Sequence, residues 1–125
     1  MPLAHEELTH DIIGAGIEVH RQLGPGFVER IYHNALCIEL NHRRIAFDRE
    51  TRIVVRHRGL PVGLHELDLV VEGRIVVELK ALRRLEDVHF AIVRSYLRAM
   101  DLKHGLILNF AKAPLEIRRV TTELF

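Results

Sequence analysis

The sequence predicts a mixed α/β (α+β) fold, a single domain over residues 1–125 with a mixed central sheet flanked by helices. Two observations carry this prediction. The first is the order of apolar periodicities, which reads α-α-β-β-β-α-β-β along the chain. A three-stranded meander followed by a helix and a further strand gives a mixed sheet with helices packed on it. The second is composition. Of 125 residues, 48% are hydrophobic, enough for a real core and too many for a disordered chain.

Residues 6–23 read as an amphipathic helix. Leu8, Ile12, Val19 and Leu23 recur at helical spacing, and Ile13 and Ile17 widen the stripe. Gly14 and Gly16 weaken its intrinsic propensity, and their small size allows close packing against a neighbour. Leu23-Gly24-Pro25-Gly26 ends the helix and turns the chain. A second helix, residues 28–42, carries Tyr32, Leu36 and Leu40 on one stripe headed by Glu29. From the pattern alone, first-turn placement accounts for this glutamate, because the helix dipole and free N–H groups favour it there. Residues 47–57 form the first strand, with Ile53, Val54 and Val55 at its centre, and residues 58–63 a loop.

Residues 65–81, HELDLVVEGRIVVELKA, form a hairpin around the turn signal Glu72-Gly73. Alternation puts Leu67, Leu69 and Val71 on one face with Ile75, Val77 and Leu79. Asp68, Glu78 and Lys80 then share the opposite face, but only if the pairing parity allows it. A two-residue turn would set Asp68 opposite Val77, on the wrong parity. The sequence therefore predicts an odd-length loop or a bulge, with Gly73 left-handed. Two carboxylates beside a lysine suit a hard divalent cation such as Mg²⁺. Such an ion polarises a phosphoryl oxygen and acidifies a bound water, while a lysine orients that water or stabilises transition-state charge. The same pattern is also met on plain solvated strands.

Residues 83–102 form the third helix, with Leu85, Val88, His89, Ile92, Tyr96 and Met100 as its stripe and Arg83, Arg84, Arg94 and Arg98 elsewhere on it. His89 and Tyr96 fit core packing and a site role equally well. Residues 105–110, GLILNF, read as a buried strand. After a turn over residues 111–114, residues 115–121 form an edge strand, where Arg118 and Arg119 discourage edge-to-edge pairing.

The net charge of +1 argues against a strongly basic nucleic-acid-binding tail, although arginine far outnumbers lysine. Cys37, the single cysteine, excludes an intrachain disulfide and a thiolate zinc cluster; its helical apolar setting makes it a small core residue. The nine histidines are scattered without HExxH or paired short spacings. No signal peptide opens the chain and no apolar run is long enough to span a membrane, so a cytoplasmic location is expected by default.

Gly26-Phe27-Val28-Glu29-Arg30-Ile31-Tyr32 matches the signature of the GxxExxY proteins, and Asp68 with Glu78-Leu79-Lys80 matches the acidic residue and E-x-K of the PD-(D/E)XK nucleases. The chain thus resembles a small member of that superfamily, from its first helix through GLILNF. The resemblance implies a restriction-endonuclease-like core, α-β-β-β-α-β, and Mg²⁺- or Mn²⁺-dependent phosphodiester hydrolysis of DNA, less readily RNA. It implies Asp68 and Glu78 as metal ligands, Lys80 as the catalytic lysine, Glu29 as a further acid beside the metal, and Tyr32 as a support one turn away. His89 and Tyr96 would support the site from the third helix, and Arg83, Arg84 and Arg94 would meet backbone phosphates. In one departure, Ile92 stands where the family commonly has glutamine four residues before the tyrosine. In another, Leu67 precedes Asp68 in place of proline. The competing expectation is a nuclease-like module with little turnover that binds nucleic acid or assembles. A homodimer or higher homo-oligomer would serve either, because so small a chain offers little surface to embrace DNA.

Overall fold

Two helices open the chain, and both owe their position to one apolar stripe each. The computed structural model describes residues 2–122 of the protein. Helix α1 spans Pro2–Leu23 and α2 spans Glu29–His42. Leu8, Ile12 and Val19 of α1 and Tyr32, Leu36 and Leu40 of α2 are buried together. Ile17 is 48% exposed instead. Buried Ala15 shows that the stripe runs over Ile12, Ala15 and Val19. Gly16 does permit close packing: a Cβ there would sit 3.0 Å from Leu108 and 3.3 Å from Leu115.

Strands β1 (Phe47–His57), β2 (Leu60–Val71), β3 (Ile75–Lys80), β4 (His104–Asn109) and β5 (Glu116–Thr121) form one sheet in sequence order. Helix α3, Asp87–Met100, carries the chain from β3 to β4, which pair in parallel; the other neighbours are antiparallel. One face of the sheet, with Leu69, Val71, Val77, Leu79, Leu106 and Leu108, receives α1 and α2. The other, with Val70, Val76, Ile107 and Val120, receives α3. This is a mixed sheet flanked by helices, in the expected element order. Among the described residues, no helix is long and apolar enough to cross a membrane.

Several expectations need correction. The loop after β1 is only Arg58-Gly59, and β2 begins at Leu60. Proline and glycine are tolerated there because β3 pairs with β2 only from Leu69 to Val71, leaving residues 60–67 an open edge. Helix α3 begins at Asp87, so Arg83 and Arg84 lie in the preceding connection rather than on the helix. Its buried side is Val93, Tyr96 and Leu97, with Val88 and Ile92 55% and 37% exposed. Two apolar rows about 100° apart run along this helix, and the sheet takes the one whose residues meet Val76 and Ile107. Finally, Leu67 packs on the α3 side, opposite to Leu69 and Val71. The β1–β2 register runs from Arg49↔Leu69 to Thr51↔Leu67, with Glu50 between them at φ 54°. That left-handed residue rotates β1, and both strands reverse their facing: Phe47 meets the first cluster and Ile53 the second.

Candidate functional site

The hairpin closes as its parity required. Val71 pairs with Ile75, leaving Glu72, Gly73 and Arg74 as a three-residue loop with Gly73 left-handed at φ 65°. The Cα register extends to Leu69↔Val77 and stops there. At the next position the strands part, and side chains replace the ladder. Glu78 Oε1 accepts the Asp68 N–H at 3.1 Å, and Asp68 Oδ2 accepts the Leu79 N–H at 2.9 Å. Each carboxylate thus caps a backbone group that the divergence would orphan. Both are held by these bonds at the point where the facing of β2 reverses.

Burial there is costly for charge. Glu78 is 6% exposed, and its carboxyl is pushed up to about 8, first by desolvation and then by the Asp68 charge. The Asp68 N–H and the Lys80 ammonium work in the other direction. Glu29, at the first turn of α2, is also raised, chiefly by burial, with Lys80 opposing and Asp68 adding to the shift. Glu29, Asp68, Glu78 and Lys80 therefore share one electrostatic neighbourhood. A cavity of about 220 Å³ opens beside them, lined by Glu29, Arg30, His33, Glu50, Glu66, Asp68 and Leu79. Among the described residues, no three Asp, Glu, His or Cys side chains are gathered to hold a metal ion.

The remaining sequence-derived candidates fall at different distances from this centre. The Tyr32 hydroxyl donates to Gly24 O at 2.6 Å and accepts from Phe27 N at 3.1 Å, with its ring stacked on Phe110. Its contacts are with the turn before α2, so any support it gives runs through the placement of Glu29. Tyr96 lies edge-on to His65, and its phenol is raised by burial and then by Glu78 and Asp68. His89 sits in the first turn of α3, where its Nδ1 accepts the Glu86 N–H at 2.8 Å. Arg83 and Arg84 line a second cavity with His89. Arg94, half-buried on α3, lines neither cavity. The half-exposed Ile92 brings no polar group to the site.

Sequence reasoning missed His33. It is 5% exposed, and its Nε2–H donates to Asp68 O at 3.1 Å. A carbonyl only accepts, so the ring proton is on Nε2 and Nδ1 faces Arg49 at 3.4 Å. Its signal was present: His33 lies four residues after Glu29, on the same helix face. Asn109, fully buried at the end of β4, was also missed. Its amide ties the β3–α3 connection to β4 and β5 through Leu82 N, Leu82 O and Glu116.

A family model described as the PD-(D/E)XK nuclease superfamily matches residues 6–120. No curated protein matches the chain. Among solved structures, one titled "Crystal structure of SSO0001" is similar in fold, with a TM-score of 0.57 at 16% sequence identity. The match covers 77% of this chain and 50% of that one, so this chain spans half the length of the solved structure.

Proposed function

The chain belongs to the PD-(D/E)XK nuclease superfamily, and on that premise we propose that it is a divalent-cation-dependent nuclease, acting on DNA more readily than RNA, with Asp68, Glu78 and Lys80 at its centre. One observation supports this above the others: the Asp68 and Glu78 carboxylates are fixed on backbone N–H groups where β2 and β3 part, Lys80 follows two residues on, and burial there raises the Glu78 carboxyl. The donors are hard oxygens, suited to Mg²⁺ or Mn²⁺. Mg²⁺ commonly takes only one or two carboxylates and keeps waters for substrate phosphate, which suits a site with few protein ligands. Asp68 and Glu78 would hold the ion, with Glu29 beside it; when bound, it supplies Lewis-acid polarisation of the phosphoryl group and a more acidic water.

The chain's own residues do the rest. Asp68 is held by Leu79 N and, through its carbonyl, by His33, so its carboxylate does not have to be ordered on binding. Glu78 gives up its proton when a cation neutralises the pair. Lys80, at the end of β3, keeps positive charge near the carboxylates, where it orients the attacking water or stabilises the developing phosphorane charge. The whole chain acts as one nuclease-like domain. A second reading, a nuclease-like module that binds nucleic acid with little turnover, is favoured by Ile92 in place of a polar residue. Cleavage of plasmid and oligonucleotide DNA in Mg²⁺ and Mn²⁺, comparing wild type with Asp68→Asn, decides between them. The first reading expects metal-dependent cleavage that the variant loses; cleavage equal in both proteins, or none in either, rejects it.

A further inference from the structure

Beside the carboxylates lies a larger cavity of opposite character. It has a volume of about 770 Å³ and is lined by Leu82, Arg83, Arg84, Glu86, His89 and Lys112. Two separate segments build it: the connection from β3 to α3, and the turn between β4 and β5. Asn109 holds them together. Its Oδ1 accepts from Leu82 N at 3.0 Å and its Nδ2 donates to Leu82 O at 2.8 Å, while Ala111 N donates to Oδ1 at 3.3 Å. From the far side, His20 Nε2 bonds to Lys112 O at 2.7 Å. Both rims are thus fixed through their backbones, and their side chains are left for other work.

The cations of this groove differ from those around the acidic cavity. There, Arg30 is paired with Glu50, and Arg52 with Glu66. Arg83, Arg84 and Lys112 have no carboxylate partner among the described residues. The one acid on the wall, the exposed Glu86, stands at the N-cap of α3, where its carbonyl accepts the His89 N–H at 2.9 Å and its side chain reaches towards the same N–H. In return His89 Nδ1 accepts the Glu86 N–H at 2.8 Å, so the neutral ring carries its proton on Nε2 as a donor. The groove therefore sets three cations and the His89 ring against a single carboxylate, so donors and positive charge outnumber its acceptors.

It is also close to the carboxylates. Leu79 lines the acidic cavity and Leu82 the basic one, with Lys80 between them. Three residues of extended chain span at most roughly 10 Å, or about three nucleotides of rise along a duplex strand.

We propose that this groove is a phosphate subsite: it holds a phosphate of the nucleic-acid strand within about three nucleotides of the one between Asp68 and Lys80. The ligand chemistry is a phosphate ester, either an internal diester of a continuing strand or a terminal monoester at a strand end. The proposal rests on the nuclease reading for its substrate, and its test does not require cleavage. Fluorescence anisotropy of a labelled single-stranded DNA oligonucleotide, with a 5′-phosphate or a 5′-hydroxyl, is measured in EDTA across a salt series. The proteins are wild type, Arg83→Gln/Arg84→Gln, Lys112→Gln, and the control Arg119→Gln, which removes a charge lining a different cavity beside His104. The double variant is expected to reduce the slope of log K against log salt by about 1.4, and Lys112→Gln by about 0.7, since each phosphate contact on a single strand contributes about 0.7. Arg119→Gln is expected to leave the slope unchanged. A preference for the 5′-phosphate that vanishes in the double variant assigns a terminal monoester; equal loss with both oligonucleotides assigns internal diesters. Groove variants with the same slope as the control, or a wild type that does not bind, overturn the proposal. If only the nuclease reading fails, cleavage is absent while the slope changes remain.

Discussion

Replacing Glu78 by glutamine should remove much of the protein's pH-dependent loss of stability. In the folded chain this carboxyl titrates at about 8, against an ordinary value of 4.5. Between those values the folded state binds one proton more than the unfolded state, so stability falls as pH rises. The contribution is fully present below 4.5 and gone above about 8. At 1.36 kcal/mol per pH unit, the loss from pH 5 to pH 7 is about 3 kcal/mol. Glu78→Gln does not titrate, and its amide oxygen still accepts the Asp68 N–H. Urea unfolding of both proteins at pH 5 and pH 7, without divalent ions, reads the difference directly. The variant should gain about 3 kcal/mol on the wild type between the two pH values. Parallel stability curves would refute the reasoning, because they would mean that the buried pair does not hold Glu78 protonated. Adding Mg²⁺ at pH 7 should raise the stability of the wild type by binding the folded state, and raise that of the variant much less.

Other perturbations separate the site's roles. Lys80→Met should keep metal binding while cleavage falls by about a hundredfold or more, read by parallel calorimetry and rate measurements. Asn109→Ala should cost about 2–4 kcal/mol in urea unfolding, because it removes a fully buried amide and leaves both backbone groups of the half-buried Leu82 without their partner. Tyr32→Phe should lose about 1–2 kcal/mol through the turn contacts at Gly24 and Phe27, with metal affinity by calorimetry nearly unchanged.

The fold was legible wherever one face of an element is buried. The stripe Tyr32, Leu36 and Leu40 is wholly inside. The three-residue loop at Gly73 followed from asking what parity would bring Asp68 and Glu78 together. Leu67 was misread because period-2 alternation assumes an unbroken strand, and nothing in the identity of Glu50 announces a left-handed residue. Helix α3 was read in part: Leu85, Tyr96 and Met100 of the expected stripe pack against the sheet, whereas Val88 and Ile92 face outward and the helix starts at Asp87. Its sequence offers two apolar rows, and only the sheet chooses between them. Its start is capped by Glu86 with His89 at the third position, where a capping box usually presents glutamate or glutamine. The carboxylates and Lys80 were visible as a motif; the spacing of His33 from Glu29 put it on the same helix face, whereas its bond to Asp68 O and those of Asn109 to Leu82 join residues far apart in the chain, which no local spacing encodes.

The central claim is that the carboxylates at the β2–β3 divergence hold a divalent cation for phosphodiester hydrolysis. Titration of Mn²⁺ into wild type and Asp68→Asn by calorimetry, at a pH above 8 where Glu78 is ionised, tests it most directly. The expected result is a saturable site in the wild type that the variant lacks. Equal binding by the two proteins would place any metal elsewhere and contradict the account.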